Sequence, residues 1–150
     1  MALIGPTSRI VAGIDGSDAS KGALVWAIGQ AKLTGATLEA VIAFKLPTGA
    51  YGEPAILPGD LDFEGEARRT LGDVIAEALD NAGPEGCEVL TTVVEDNPTV
   101  ALLRASESAD LLVVGASGHG SVVGALIGSV SEYCVHHATC PVVVVRHSPR

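Results

Sequence analysis

Short apolar runs alternate with segments of helical spacing along the whole of this 150-residue chain. The apolar runs, which predict strands, cover residues 9–14, 37–44, 88–95, 111–114 and 141–146. The helical segments cover residues 18–33, about 62–81, 98 to about 108, and from Ser129 or Ser131 to near His137. Strands that alternate with helices in this way favour a parallel sheet with helices on both faces. The sequence therefore predicts a single α/β domain, built on an open five-stranded parallel sheet of Rossmann-like type.

Two turns that follow predicted strands are candidates for a ligand site. Asp15 opens a polar turn after the first strand, and Gly115 opens a loop after the fourth. Open parallel sheets bind ligands beyond the carboxyl ends of their strands, at the point where the strand order reverses. If the first and fourth strands are neighbours, both turns face one crevice.

The segment from Val113 to Glu132 is apolar and contains five glycines. Residues 111–131 carry no formally charged side chain, and they are numerous enough to cross a bilayer. The polar stretch SGHGS at residues 117–121 would then lie at the bilayer centre, where unsatisfied polar groups are costly. We therefore expect no membrane span. Glycine content alone fits equally a phosphate-binding loop and a loop whose glycines only permit turns.

The spacing of these glycines is more specific than their number. Gly115, Gly118, Gly128 and Ser129 follow the pattern G-x2-G-x9-G-[S/T]. The Walker phosphate motif does not fit because no Lys follows its last glycine, and the dinucleotide fingerprint fails because Val123 stands at its third glycine. The observed pattern resembles the motif of the ATP-binding branch of the universal stress protein family.

The resemblance covers essentially the whole chain. IVAGIDGSDAS is similar to the family's first strand and turn, with Asp15 as its acidic residue. ESADLLVVGASGHG and LIGSVSEYCVHHATCPVVVVR are similar to its fourth strand, loop, last helix and last strand. The resemblance implies a nucleotide-binding α-hydrolase type of fold and an ATP-binding stress-response protein that acts as a nucleotide sensor or adaptor.

The resemblance also implies roles for particular positions. The motif glycines and Ser129 would hold the phosphates and ribose, and the backbone near Ala43 would face the adenine. Asp15 would lie beside the ribose or phosphates and could contact them through a bound Mg²⁺ or Mn²⁺ ion. The implied nucleotide-binding set is Gly13, Asp15, Ala43, Val114, Gly115, Gly118, His119, Gly120, Gly128, Ser129, Val130 and Ser131.

Charge narrows the partners further. The formal net charge is -9, which disfavours a nucleic-acid binder because phosphate backbones reward Lys and Arg. No Lys occurs after Lys45, so a polyanionic ligand needs backbone donors or a divalent cation. The glycine loop contains neither Lys nor Arg to stabilise a developing negative charge. We therefore expect no dedicated enzymatic activity beyond slow ATP hydrolysis.

The amino-terminal residues lack the basic start and long apolar run of a signal peptide, and the chain has three cysteines. An odd number of cysteines without an export signal predicts reduced thiols and a cytoplasmic protein. Cys134, His137 and Cys140 could suggest a zinc site. A structural zinc site needs four ligands, so core cysteines and a helix-end histidine are the favoured interpretation.

Three other interpretations compete with nucleotide sensing. Ser17, Asp15 and His119 could form a nucleophilic triad, but the nucleophile motif G-x-S-x-G is absent. An adenylyl-transferring enzyme on a related nucleotide-binding fold would need a second substrate pocket. A structural dimer with a vestigial site is the third.

The last apolar run, residues 141–146, is apolar on both faces and predicts an edge strand that must be covered. We expect a homodimer through Val142–Val145 (Val142, Val143, Val144 and Val145), as the resemblance also implies.

Overall fold

The computed structural model describes residues 3–53, 59, 61–83, 87–117 and 127–146. These residues form five strands, β1 (Arg9–Ile14), β2 (Thr37–Phe44), β3 (Val89–Glu95), β4 (Leu111–Gly115) and β5 (Val142–Val145). They also form four helices, α1 (Asp18–Thr34), α2 (Phe63–Ala82), α3 (Pro98–Ser106) and α4 (Ser129–His137). The five strands form one parallel sheet in the order β3-β2-β1-β4-β5. The predicted single-domain α/β fold with an open five-stranded parallel sheet is confirmed.

The differences from the predicted elements lie at their ends. The fourth strand extends to Gly115 because this residue pairs with Val145 of β5. The fifth strand is shorter than expected, since Pro141 lacks an N–H, although its carbonyl accepts a 3.0 Å hydrogen bond from Leu112. The third helix ends at Ser106 rather than near residue 108. Helix ends fray, so shifts of this size are expected.

Local sequence explains where α1 begins and ends. Ser17 precedes the helix, and its side-chain oxygen accepts a 3.2 Å hydrogen bond from the N–H of Ser20. Gly35 follows the helix with φ of 77°, a left-handed conformation that glycine adopts without strain. Its N–H donates to the carbonyl of Ala31 at 2.8 Å.

Helices cover both faces of the sheet, as predicted. On one face α1 and α2 pack on β1 and β2, and the buried side chains include Ile10, Leu24, Ile28, Leu38 and Leu71. On the other face α3 and α4 enclose a smaller apolar cluster of Val11, Val41, Leu102, Leu112, Val114 and Cys134. Residues 111–114 of β4 are all buried, which agrees with their continuous apolar sequence.

The strand order places the reversal point at the middle of the sheet. β1 pairs with β2 on one side and with β4 on the other, and all three strands run in the same direction. The chain therefore leaves β1 toward one edge and later returns to its other side. This reversal confirms that the first and fourth strands are neighbours. None of the helices in the described ranges is both long and apolar enough to cross a membrane.

Candidate functional site

A cleft of about 210 Å³ opens at the carboxyl edge of the sheet, where β1 and β4 end. Two strand ends, the first turn of α3 and the first turn of α4 enclose it. Its lining residues are Gly13, Ile14, Asp15, Ser20, Pro98, Leu102, Val114, Gly115, Ser117, Gly128, Ser129, Val130 and Ser131. The structure thus brings together eight of the residues that the sequence assigned to a nucleotide site, namely Gly13, Asp15, Val114, Gly115, Gly128, Ser129, Val130 and Ser131.

The remaining predicted residues are not part of this lining. Ala43 lies at the end of β2, one strand further from the cleft, where it pairs with Val94 of β3. Gly118, His119 and Gly120 fall outside the described residues. Their predicted contacts with a nucleotide therefore stay predictions, and the triad with His119, which the sequence disfavours, is not tested.

Five lining residues were missed by the sequence analysis, namely Ile14, Ser20, Pro98, Leu102 and Ser117. Ser20 was within reach of prediction, because it follows the Asp15 turn by one helical turn. Pro98 and Leu102 open the helix that follows β3, and their position depends on how α3 crosses the sheet. That crossing is a long-range property that no local pattern records.

Gly13 leaves room for the apolar floor of the cleft. A β-carbon at this position would lie 2.8 Å from Cδ1 and 3.0 Å from Cδ2 of Leu102. Such distances are too short for van der Waals contact, so a larger residue would displace the Leu102 side chain. The bare backbone of Gly13 therefore sets how deep the cleft can be.

Gly115 permits a closer approach that involves backbone atoms. A β-carbon there would lie 2.7 Å from the carbonyl carbon of Ala19 and 2.9 Å from its carbonyl oxygen. These atoms belong to the first turn of α1 and cannot rotate away as a side-chain tip can. Only glycine lets the end of β4 meet the first turn of α1 at this distance.

The amino end of α1 is closed by side chains. The carboxylate of Asp15 accepts a 2.9 Å hydrogen bond from the N–H of Ser17 and a second from the Ser17 hydroxyl. Ser17 in turn accepts from the N–H of Ser20, and the Ser20 hydroxyl donates to the Ser17 carbonyl at 3.0 Å. The donors of this helix end are therefore partly used within the chain.

The amino end of α4 is open by comparison. Its cap residue is Gly128, which has no side chain, and none of the described residues forms a side-chain capping hydrogen bond there. The first N–H groups of an α-helix have no partner within the helix, and the helix dipole makes this end partly positive. The first-turn residues Ser129, Val130 and Ser131 line the cleft. This end can therefore offer backbone donors to an anion in the cleft.

Ser131 differs from its neighbours because its hydroxyl already has partners in the chain. The side chain is buried, and Oγ lies 3.2 Å from the carbonyl oxygen of Ala116 and 3.0 Å from that of Gly128. A hydroxyl has only one hydrogen to donate, and these carbonyls take it. Donation from Ser131 to a phosphate would require the loss of these contacts.

The charged groups around the cleft are few. Among the described lining residues Asp15 is the acidic one, and neither Lys nor Arg is present. Among the described lining residues, positive potential is therefore supplied by the backbone at the amino end of α4. A carboxylate oxygen is a hard ligand that suits Mg²⁺ or Mn²⁺. Asp15 thus contributes one oxygen ligand of the kind that a divalent cation accepts.

The cysteines occupy apolar surroundings, as the favoured interpretation predicted. Cys134 is fully buried, and burial, followed by the nearby Cys140, raises the pKa of its thiol to about 11. Burial also raises the pKa of Cys140. Protonated thiols are poor zinc ligands. Within the described ranges no three His, Cys, Asp or Glu side chains come together to hold a metal ion.

Known proteins resemble this chain over nearly all of its length. Residues 6–146 match the model of the universal stress protein family. A universal stress protein of Thermus aquaticus is 35% identical over 142 residues, which cover 91% of this chain and 97% of that protein. One from Mycobacterium tuberculosis is 35% identical over 140 residues, which cover 91% of this chain and 46% of that protein. The chain thus spans about half the length of the mycobacterial relatives that it matches.

Solved structures have the same fold. A universal stress protein in complex with cAMP is 27% identical with a TM-score of 0.69, and the match covers 96% of this chain and 100% of that one. A universal stress protein from Lactobacillus plantarum is 25% identical with a TM-score of 0.64, and the match covers 93% of this chain and 97% of that one.

Proposed function

Because this chain belongs to the universal stress protein family, we propose that it binds ATP and acts in the cytoplasm as a nucleotide sensor or adaptor. One observation carries the proposal. The amino end of α4 has no capping side chain from the described residues, and it lines the cleft between the ends of β1 and β4. Backbone donors at an open helix end suit a phosphate group, which accepts several hydrogen bonds at once.

The chemistry of the lining suits the parts of a nucleotide in turn. Residues 128–131 bring the positive end of α4 to the phosphates. Leu102 and Val114 supply an apolar surface against which the ribose and base can pack. The solved relative in complex with cAMP, which is 27% identical, supports an adenine nucleotide as the ligand class.

A divalent cation completes the charge balance of the proposed complex. ATP brings several negative charges to a chain of net charge -9. The described lining has no Lys or Arg, so Mg²⁺ or Mn²⁺ held by the phosphates and Asp15 would offset that charge. We propose that a chelator weakens ATP binding. An unchanged affinity in the chelator would contradict the role given to the cation.

Sensing rather than catalysis is the proposed activity. Rapid phosphoryl transfer requires cationic groups around the developing charge and a residue that orients the nucleophile. The described lining supplies no cationic side chain, although a bound metal could support slow hydrolysis. Pyrophosphate release in the presence of a panel of carboxylic acids would instead favour the adenylyl-transferring alternative.

The direct experiment is thermal unfolding with and without ATP and magnesium. A ligand that binds only the folded chain at about a hundredfold excess over its dissociation constant adds roughly 2.7 kcal/mol of stability. Each kcal/mol moves the midpoint of a domain of this size by roughly 2–4 °C. We therefore expect an increase in Tm of roughly 5–11 °C.

Two further arms make the unfolding experiment specific. GTP at the same concentration should give a smaller shift if the adenine is recognised. Denaturation of gently purified protein, followed by chromatography of the released small molecules, should identify a bound adenine nucleotide. The absence of both a bound nucleotide and a thermal shift would favour a structural protein with a vestigial site.

We also propose a two-fold homodimer that covers the edge strand β5. This strand pairs only with β4 among the described strands, and its four valines are half-buried. The carbonyl of Val145 faces β4, where it accepts from Ala116. Because successive residues of a strand direct their backbone groups to opposite sides, Val142 and Val144 direct theirs to the open edge.

The dimer is tested by mass in solution and by one edge substitution. Light scattering at micromolar concentration should give twice the chain mass of 15.2 kDa. Val144→Pro removes an edge N–H and should give a monomer that remains folded, because proline is tolerated on edge strands. A monomeric mass for the unmodified chain would refute this interface.

A further inference from the structure

We propose that Ser131 is a positioning residue that couples the nucleotide cleft to the edge strand β5 through the backbone of Ala116. This inference rests on the proposed nucleotide binding. It goes beyond that function because it connects the ligand site to a distant element. It also assigns the Ser131 hydroxyl to the connection rather than to the ligand.

The first link joins α4 to the end of β4. The Ser131 hydroxyl lies 3.2 Å from the carbonyl oxygen of Ala116, and the N–H of Gly128 donates to the same carbonyl. A carbonyl oxygen has two lone pairs and can accept from both donors, while the one Ser131 hydrogen is shared with the carbonyl of Gly128 at 3.0 Å. Ser131 and Ala116 are 3% and 6% exposed, so water cannot readily replace either contact.

The second link joins the same residue to β5. The N–H of Ala116 donates to the carbonyl of Val145 at 2.8 Å. Both backbone polar groups of Ala116 are therefore engaged, one by the last residue of the edge strand and the other by the first turn of α4. Displacement of that turn must strain or break a contact to Ala116, because buried donors and acceptors cannot be left unpaired cheaply.

The coupling follows from where the ligand would bind. A nucleotide that accepts from the open N–H groups of α4 binds best when the first turn is held toward the cleft. It would then stabilise the arrangement in which all contacts of Ala116 are intact. The bond between Ala116 and Val145 should therefore open less often in the complex. Ligand binding would be felt at the sheet edge where the proposed partner chain pairs.

Amide hydrogen exchange measured by NMR tests the inference at a defined atom. In the unmodified chain, saturating ATP with magnesium should slow exchange of the Ala116 amide at least tenfold. Ser131→Ala should bind ATP about fivefold more weakly, which corresponds to the net contribution of one hydrogen bond. It should also lose most of the slowing at Ala116. Ser131→Thr keeps the hydroxyl and should restore both properties.

Ser106→Ala is the matched control. Ser106 is also a buried helical serine whose hydroxyl donates to a backbone carbonyl, that of Leu103 at 2.6 Å. It lies at the end of α3 and does not line the cleft. Loss of this hydroxyl should destabilise the free protein comparably but leave ATP affinity and the slowing at Ala116 unchanged. The control separates coupling from a general loss of stability.

Each outcome decides a different question. If the unmodified chain does not bind ATP, the proposed function fails. In that case faster Ala116 exchange in free Ser131→Ala than in Ser106→Ala still supports the link, and equal rates refute it. If ATP binds, and if it slows exchange of the Ala116 amide in Ser131→Ala as much as in the unmodified chain, the coupling is refuted. Should Ser131→Ala fail to fold, an unchanged Ala116 rate in the unmodified chain with ATP refutes it.

Discussion

The amino ends of α1 and α4 flank the same cleft with nearly the same backbone but different side chains. The cap residue of α1, Ser17, has φ of -72° and ψ of 159°, and that of α4, Gly128, has φ of -71° and ψ of 162°. Any residue can adopt this extended conformation, so the φ and ψ angles of Gly128 do not themselves require glycine. The serine satisfies its own helix, whereas the glycine leaves the donors of α4 to another acceptor.

The comparison separates two uses of one structural element. A capped helix end contributes to the stability of the free protein. An uncapped end forgoes that contribution and keeps a site for an anion. The polar network of Asp15, Ser17 and Ser20 belongs to the first kind, and the first turn of α4 belongs to the second. The position of a missing side chain is thus as informative as that of a present one.

The largest effect is expected where the end of β4 contacts the first turn of α1. Gly115→Ala places a β-carbon 2.7 Å from the backbone of Ala19, so the end of β4 and the start of α1 must separate. We expect a loss of about 3 kcal/mol in the free energy of unfolding. We also expect the loss of most ATP binding. Urea unfolding and ATP titration measure the two effects.

Gly72→Ala is the control for this change. It makes the same substitution on the exposed surface of α2, where a β-carbon would meet nothing within 4 Å. Alanine favours a helix interior over glycine, so Gly72→Ala should stabilise the chain by roughly 0.5–1 kcal/mol. An equally stabilising Gly115→Ala would show that β4 and α1 do not need their close approach.

The second effect comes from closing the open helix end. Gly128→Asp gives α4 a capping carboxylate that can accept from its first-turn N–H groups and that repels phosphate. Loss of one charge-assisted hydrogen bond costs roughly 1.5–3 kcal/mol, so the Kd for ATP should rise about 10- to 100-fold. Calorimetric titration gives the Kd, and thermal unfolding should show an unchanged or higher Tm without ligand. Unweakened ATP binding would remove α4 from the site.

Alkaline pH is expected to destabilise the folded chain through a buried thiol on α4. The folded chain raises the pKa of the Cys134 thiol from 9.0 to about 11, chiefly by burial. Well below pH 9 the thiol is protonated in both states and contributes no pH dependence. Between pH 9 and 11 the unfolded chain loses this proton first, so stability falls as pH rises, by at most about 1.4 kcal/mol per pH unit.

Cys134→Ala isolates this contribution. The variant has a lower stability at neutral pH because a buried side chain is truncated, but its fall between pH 9 and 11 should be shallower than that of the unmodified chain. Urea unfolding at half-unit pH intervals measures both slopes. Identical slopes would mean that Cys134 ionises as readily in the folded chain as in the unfolded one.

The smallest effect is expected at the closed end. Ser17→Gly makes the cap of α1 resemble that of α4 and should cost only a few tenths of a kcal/mol, because glycine is itself an acceptable cap. The Kd for ATP should change by less than about twofold, within the range of a surface substitution away from the ligand. A tenfold weakening would show that Ser17 supports the nucleotide site directly or through Asp15, and the distinction between the two ends would fail.

Most of the fold was predictable because its signals are local. Ser17 and Gly35 bound α1 by side-chain capping and a left-handed turn, and both signals lie within two residues of the predicted helix 18–33. The glycine spacing placed Gly115 and Gly128 at one site. The internal use of the Ser131 hydroxyl could not be predicted, since it depends on a carbonyl 15 residues away. The contact of Leu102 with the space at Gly13 likewise depends on helix crossing rather than on pattern.

The strand order also determines which parts of the sheet can assemble first during synthesis. β1, β2 and β3 are neighbours in the sheet and are all synthesised by residue 95, so three of the five strands can assemble during translation. The other flank of β1 must wait for β4, where Ile10 finally meets Leu111. The cleft comes later still, because α4 begins at residue 129. A nucleotide could therefore bind this cleft only after α4 has been synthesised, and a product truncated before α4 would not bind it.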